Sequence, residues 1–236
     1  RLESAPRPRI IAEVKTKSPS QGVILEGGDP VAIAREYARA GAAAISVLTE
    51  PHRFGGHIEN LIRIRAALPE TPLLMKDFVL DPYQIFEARA AGADAVLLIV
   101  SLLGESETAR FMGIAGDLGL AALVEVHDEK ELDFALRTGA NLVGVNNRDL
   151  RSLSVSLEVS RRLARRASAT GTAGAAGVTL ISESGIESRE EILALESRGF
   201  DVFLIGTRLT REGRPGDALV NLRGETAGKT AGEKAS

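Results

Sequence analysis

At 236 residues, 44% hydrophobic and 26% charged with a mean hydropathy of +0.03, the chain has the make-up of one large or two small folded domains and not of a disordered polymer. Its 29 Lys and Arg against 32 Asp and Glu leave a net charge of −3, so no global basic field recruits nucleic acid and no nucleic-acid partner is expected. The absence of cysteine excludes disulfides, thiolate metal sites and cysteine nucleophiles, and with three scattered histidines, His52, His57 and His127, no metal is expected.

From the N-terminus onward, short β-type runs recur at Ile10 to Val14, Ala44 to Thr49, Leu73 to Phe78, Ala95 to Val100, Ala122 to Val126, Leu142 to Asn146, Thr179 to Ser184 and Val202 to Gly206. None approaches the roughly 20 apolar residues that span a bilayer, and no apolar signal core opens the chain, so a cytoplasmic protein with no membrane partner is expected. Segments with helical spacing lie between them, as in residues 30–40, 81–90 and 188–197. Several open on an Asp or Ser cap, and Pro30 and Pro82 suit a first helical position. Gly41, Gly92, Gly139 and Gly199 each stand where a helix must end before the next strand.

Such alternation predicts a parallel sheet covered by helices, and the near-continuous Val/Ile/Leu/Ala strands are those of a sheet buried on both faces. Eight units at a spacing of about 25 residues, with no Gly-x-Gly-x-x-Gly after the first strand, favour closure over an open doubly wound sheet. The prediction is a single-domain α/β (β/α)8 TIM barrel over residues 1–223. A small-residue loop at 171–177 and a disordered tail at 224–236, too poor in apolar groups to pack, are expected to carry no chemistry.

In a barrel the reacting groups sit where the strands end, so the polar residues there are the informative ones. Glu13 and Lys15 close the first strand, Lys76 the third, Glu125 the fifth, Asn146 and Arg148 the sixth and Glu183 the seventh. Period-two geometry puts Glu13 with Lys15, and Leu74 with Lys76 and Phe78, on single faces. A ring of ammonium and carboxylate groups at one mouth costs desolvation that stability does not require, which marks it as a site for acid and base chemistry. Ser184, Gly185, Gly206 and Thr207, after the seventh and eighth strands, can offer backbone N–H groups and hydroxyls to a phosphate. The histidines read as surface or supporting groups.

Six segments taken together resemble the indole-3-glycerol phosphate synthase family: IAEVKTKSPS at 11–20, LTEPHRFGG at 48–56, LMKDF at 74–78, LVEVH at 123–127, GVNNRDL at 144–150 and SESGI at 182–186. The likeness runs in order from Arg7 to Arg211. It implies a cofactor-free carbon–carbon lyase of tryptophan biosynthesis that converts 1-(2-carboxyphenylamino)-1-deoxyribulose 5-phosphate to indole-3-glycerol phosphate, CO2 and water. By the same likeness Lys76 is a general acid, a role that Lys15 shares or holds; Glu125 is a proton-transfer partner in dehydration; and Glu13 and Lys15 are a charged pair beside the reacting centre. Asn146 and Glu183 orient hydroxyls and lysines, Arg148 and Ser18 hold the carboxylate, and Phe54, Phe78 and Leu97 wall the aromatic ring. The partner implied is a small phosphorylated substrate, handled by a monomer or by an assembly with other enzymes of the pathway.

Two departures stand out. Nine residues precede Ile10, where the family carries an additional N-terminal helical segment. Residues 206–211 read GTRLTR against the family's Gly-x-Ser-Leu-Met-Arg. A phosphoribosylanthranilate isomerase-like barrel, or a non-catalytic barrel that binds a sugar phosphate, remains the alternative at this stage.

Overall fold

Strands made of Val, Ile, Leu and Ala have no face to offer water, so each must be covered on both sides. The computed structural model, which describes residues 2, 4–15, 17, 18, 22, 23, 28–169, 177–211 and 213–225, meets this by closing eight parallel strands into a barrel. The strands are β1 (Arg9–Val14), β2 (Ala44–Leu48), β3 (Leu73–Lys76), β4 (Ala95–Ile99), β5 (Ala121–Val126), β6 (Leu142–Asn146), β7 (Thr179–Glu183) and β8 (Val202–Ile205). Each pairs with its sequence neighbours, and β1 closes the ring against β8, with Ile11 opposite Leu204.

Helices cover the outside: α1 (Pro30–Arg39), α2 (Ile58–Ala67), α3 (Tyr83–Ala90), α4 (Val100–Asp117), α5 (Glu129–Arg137), α6 (Glu158–Ala169), α7 (Arg189–Glu196), the single turn α8 (Thr207–Thr210) and α9 (Pro215–Arg223). Side chains satisfy the first N–H groups of several: Asp29 caps α1, Asp128 caps α5, and Ser188 with Glu191 forms a reciprocal capping box on α7. The expected helix ends hold, since Gly41, Gly92, Gly139 and Gly199 all adopt left-handed φ values between 81° and 94°.

The strand wall separates two apolar cores. Ile10, Ile45, Met75, Leu98, Val124 and Phe203 face outward into the large core shared with the helices. Ile11, Leu74, Leu97, Leu123, Ile181 and Leu204 face inward and fill the lower barrel, each burial stabilising by about 1.5–3 kcal/mol.

The structure corrects several boundaries. Phe78 lies beyond β3, because Asp77 accepts Thr49 Oγ1–H at 2.5 Å and the Phe78 N–H at 2.8 Å, drawing the chain out of the ladder after Lys76. Pro82 precedes α3 and is not its first residue; Asp81 caps the N–H of Tyr83 instead. Val100 begins α4 and does not end β4, and α4 is two helical pieces joined at Gly104, whose φ of 72° no helix accommodates. A small hairpin, Lys17–Ser18 against Gly22–Val23, and the turn α8 were not foreseen. The predicted loop at 171–177 lies outside the described residues except for Gly177. Of the predicted tail only Gly224 and Glu225 are described: Gly224 ends α9 in left-handed conformation, and Glu225 pairs with Arg223. Among the described residues no helix is long and apolar enough to cross a membrane.

Candidate active site

Above the inward apolar layer the side chains change character. Alternation along β1 turns Ile11 and then Glu13 inward, and along β3 Leu74 and then Lys76, so the last inward position of several strands is charged or amide-bearing. Glu125 on β5, Asn146 on β6 and Glu183 on β7 complete the set, with Asn146 and Glu183 directly opposite across the ladder. Together they form the floor of a cavity of about 400 Å3 that opens at the C-terminal ends of the strands.

Glycines make the ring possible. A Cβ on Gly144 would overlap Glu183 Oε1, and one on Gly206 would stand 2.6 Å from Glu13 Oε1. Both carboxylates thus occupy space that a side chain at these positions would take.

The charges interlock. Lys15 Nζ lies 2.6 Å from Glu13 Oε1, while Lys76 Nζ lies 3.8 Å from Glu13 Oε2 and 3.6 Å from Glu183 Oε2. Burial would push the Glu13 carboxyl up, but the Lys15 and Lys76 cations outweigh it and hold the group below its usual range. Burial would strip Lys76 of its proton; Glu183 once ionised, with Glu13 and Glu125, overcomes that and holds the proton more firmly than usual. Glu183 goes the other way. Its burial, with Glu125 and Glu13 nearby, overrides Lys76 and pushes its carboxyl up to about 8. Neither of its oxygens has a hydrogen-bond partner among the described residues, and both are buried, so the carboxyl sits at the cavity floor with its hydrogen-bonding capacity unused.

Asn146 Nδ2 donates to Glu125 Oε1 at 3.1 Å, and its Oδ1 accepts the Arg148 N–H at 3.0 Å. Arg148 also donates from Nη1 to Leu153 O, tying down the loop that follows β6. Phe54 and Phe78 pack together in the cavity wall, their rings tilted with centroids 6.2 Å apart, and Lys15 Nζ sits 6.0 Å from the Phe54 ring. Leu97 lies lower, in the inward core as well as in the cavity wall. Ser184 and Gly185, both left-handed at φ 66° and 79°, and Gly206 and Thr207, at the start of α8, line the opposite rim. Ser18 lies in the small hairpin, and its side chain is outside the described residues. No group of His, Asp and Glu among the described residues is arranged to hold a metal.

Three features were missed in sequence. Glu50 accepts the N–H groups of His52, Arg53 and Phe54 at 2.7 to 2.9 Å, which folds the loop that delivers Phe54. Asn147, fully buried, donates to Ser182 Oγ, Glu183 O and Ser184 O and accepts the Ser160 N–H, so it stitches β6 to β7 and α6. Period-two alternation next to the inward Asn146 was the available signal. Arg208 and Arg211 line the cavity near α8, Arg211 paired with Glu187 at 3.0 Å. His127, read from the sequence as a surface or supporting group, stands between the Glu125 and Glu131 carboxylates.

A profile described as indole-3-glycerol phosphate synthase matches residues 1–222. The indole-3-glycerol phosphate synthase of Carboxydothermus hydrogenoformans is 50% identical over 89% of this chain and 77% of its own length, and that of Roseiflexus castenholzii 48% identical over 89% and 82%. Among solved structures, a KGPDC from Streptococcus mutans aligns over 92% of this chain and 96% of its own with a TM-score of 0.70 at 13% identity. The tryptophan synthase complex of Pyrococcus furiosus contains a chain that aligns over 91% and 95% with a TM-score of 0.64 at 14% identity. At such identities these two show the shared barrel alone.

Proposed function

The chain belongs to the indole-3-glycerol phosphate synthase family, and from that membership we propose which of its groups does what as 1-(2-carboxyphenylamino)-1-deoxyribulose 5-phosphate closes to indole-3-glycerol phosphate, CO2 and water in tryptophan biosynthesis. The observation that carries the reading is the Lys76 ammonium, held between Glu13 and Glu183 on the floor of the cavity with Lys15 beside it.

Closure joins an aromatic carbon to the ribulose carbonyl carbon, and the carbonyl oxygen must take a proton as the bond forms. Lys76 supplies it. Lys15, paired with Glu13 and next to the Phe54 ring, shares this acid role and stabilises the developing charge in a site that the two phenylalanines shield from water. Loss of CO2 then removes the former carboxylate of the aromatic ring. In dehydration the former carbonyl oxygen leaves as water after protonation by an ammonium, and Glu125 takes the proton that the new ring gives up.

Glu183, with its two unpartnered oxygens, and Asn146 orient the ribulose hydroxyls. The substrate phosphate sits between the Ser184–Gly185 turn and the Gly206–Thr207 start of α8, whose backbone N–H groups suit a dianion. Arg148 and Ser18 serve the aromatic carboxylate, and Phe54, Phe78 and Leu97 wall the ring. Such a catalyst works on a small phosphorylated substrate in a cytoplasmic setting.

Lys76→Met keeps the approximate volume and deletes the donor. Followed by the fluorescence of the indole product, it should lower kcat by a factor on the order of 10² or more, with circular dichroism showing the fold retained. A folded Lys76→Met protein with near-normal kcat would move the acid role to Lys15.

A further inference from the structure

His127 lies just behind the cavity wall, bracketed by carboxylates. It follows Glu125 on the same side of β5, one pleat further along, at the point where the chain turns into α5. Its Nε2 is 3.3 Å from Glu125 Oε1 and its Nδ1 is 3.4 Å from Glu131 Oε2. The same Glu131 oxygen accepts the His127 backbone N–H at 2.8 Å, and the Glu131 N–H is capped by Asp128 at 2.9 Å, so the first turn of α5 fixes the imidazole. Nε2 is buried without a well-aligned hydrogen bond, so it meets Glu125 as an ion pair when the ring is protonated. Glu125 Oε1 meanwhile accepts Asn146 Nδ2–H. With His127 and Asn146 both on Oε1, the other oxygen of Glu125 is left for the substrate.

We propose that His127 is a positioning residue for proton transfer: an imidazolium, anchored by Glu131, that fixes Glu125 through Oε1, keeps it ionised between turnovers and leaves Oε2 to exchange the proton. This deepens the reading of Glu125 as the proton-transfer group and rests on it. His127 does not line the cavity, so it acts through Glu125 and not on the substrate.

The electrostatics agree with the geometry. Burial alone would lower the proton affinity of His127, but Glu125 and Glu131 raise its pKa to about 10. Burial alone would raise the Glu125 carboxyl; the contact with His127, then the Lys76 charge, bring it below its usual range. From β3 and β7, Lys76 and Glu183 act at longer range. On α4, which packs against β5, the charged groups are Glu105, Glu107, Arg110 and Asp117, and none pairs with His127. Of the α6 cations, Arg162 and Arg166 engage α5 elsewhere, at Glu129 and Asp133, and Arg161 and Arg165 pair with Glu158 on their own helix.

Three variants and one titration test the proposal on the whole chain. In His127→Gln, Glu125 loses its cation and burial pushes its carboxyl up, so the acid limb of the kcat profile should move up by about one pH unit or more with KM unchanged. Glu131→Gln should leave that limb in place and lower the pH at which His127 loses its proton. That loss is read directly by NMR of the imidazole rings, where only three histidines need assignment. A His127 that titrates below neutrality overturns the proposal, and so does a His127→Gln protein whose kcat falls equally at all pH values. If His127→Gln does not fold, the NMR titration of wild type and Glu131→Gln decides alone. Glu125→Gln tests the underlying reading separately: near-normal kcat there removes Glu125 from the chemistry, whereas a large loss alongside an unmoved limb in His127→Gln removes only the role of His127.

Discussion

Replacing Glu183 by Gln keeps its shape and removes one titration. Free carboxyls of this kind ionise near pH 4.5, while in the folded barrel burial and the neighbouring Glu125 and Glu13 hold Glu183 protonated up to about pH 8. The folded state therefore binds a proton that the unfolded chain has released, and stability is fully present below the unfolded pKa and lost as pH rises toward the folded one. The interval is about 3 to 4 pH units at about 1.4 kcal/mol each, so wild type should lose on the order of 4 kcal/mol across it relative to Glu183→Gln. For a chain of this size that corresponds to roughly 10 °C in Tm. Thermal unfolding of both proteins at about pH 5, 6.5 and 8 measures the difference, in which titrations common to both cancel. The Tm of Glu183→Gln minus that of wild type should climb steadily with pH. A difference that stays flat would mean that Glu183 is ionised throughout, held by Lys76 alone, and the account of its buried, unpartnered oxygens would be wrong.

Gly144→Ala drives a methyl group into Glu183 Oε1 and to within 3.2 Å of Leu123, so it should cost about 1–3 kcal/mol of stability and lower kcat as Glu183 is pushed off Lys76. Unchanged Tm and kcat would show that Glu183 has another place to sit. At the opposite rim, Thr207→Asp should raise KM by about tenfold or more by repelling the phosphate dianion, while Thr207→Ala should have a mild effect because backbone donors persist. Small, equal effects would put the phosphate elsewhere.

Strand–helix alternation, the glycine helix ends and the polar residues closing most strands are local properties, so the barrel and most of its ring could be read from the chain alone. Glu13, Lys76, Glu125, Asn146 and Glu183 all lie at the cavity floor where alternation puts them. What could not be read depends on direction in space. Nothing in the spacing says that the Glu131 carboxylate folds back from α5 onto His127, or that Asn147 reaches three groups on the neighbouring strand and loop. The turn around Glu50 also escaped notice, because a carboxylate that collects three backbone N–H groups looks like any acidic loop residue until the loop is folded. Phe78 was placed in a strand because its apolar character continued the run, and a single aspartate side chain ended that strand earlier.

Because the barrel wall divides the apolar interior in two, durability and turnover draw on different sets of positions. The shell between strands and helices holds most of the buried hydrophobic side chains and none of the reacting groups, whereas the axial compartment is small and shares its upper boundary with the charged ring. Laboratory selection for heat tolerance should therefore enrich changes at outward strand positions and helix faces with little effect on rate. Selection for altered substrates should enrich changes at the rim. The two classes should combine nearly additively, since the strand backbone stands between them.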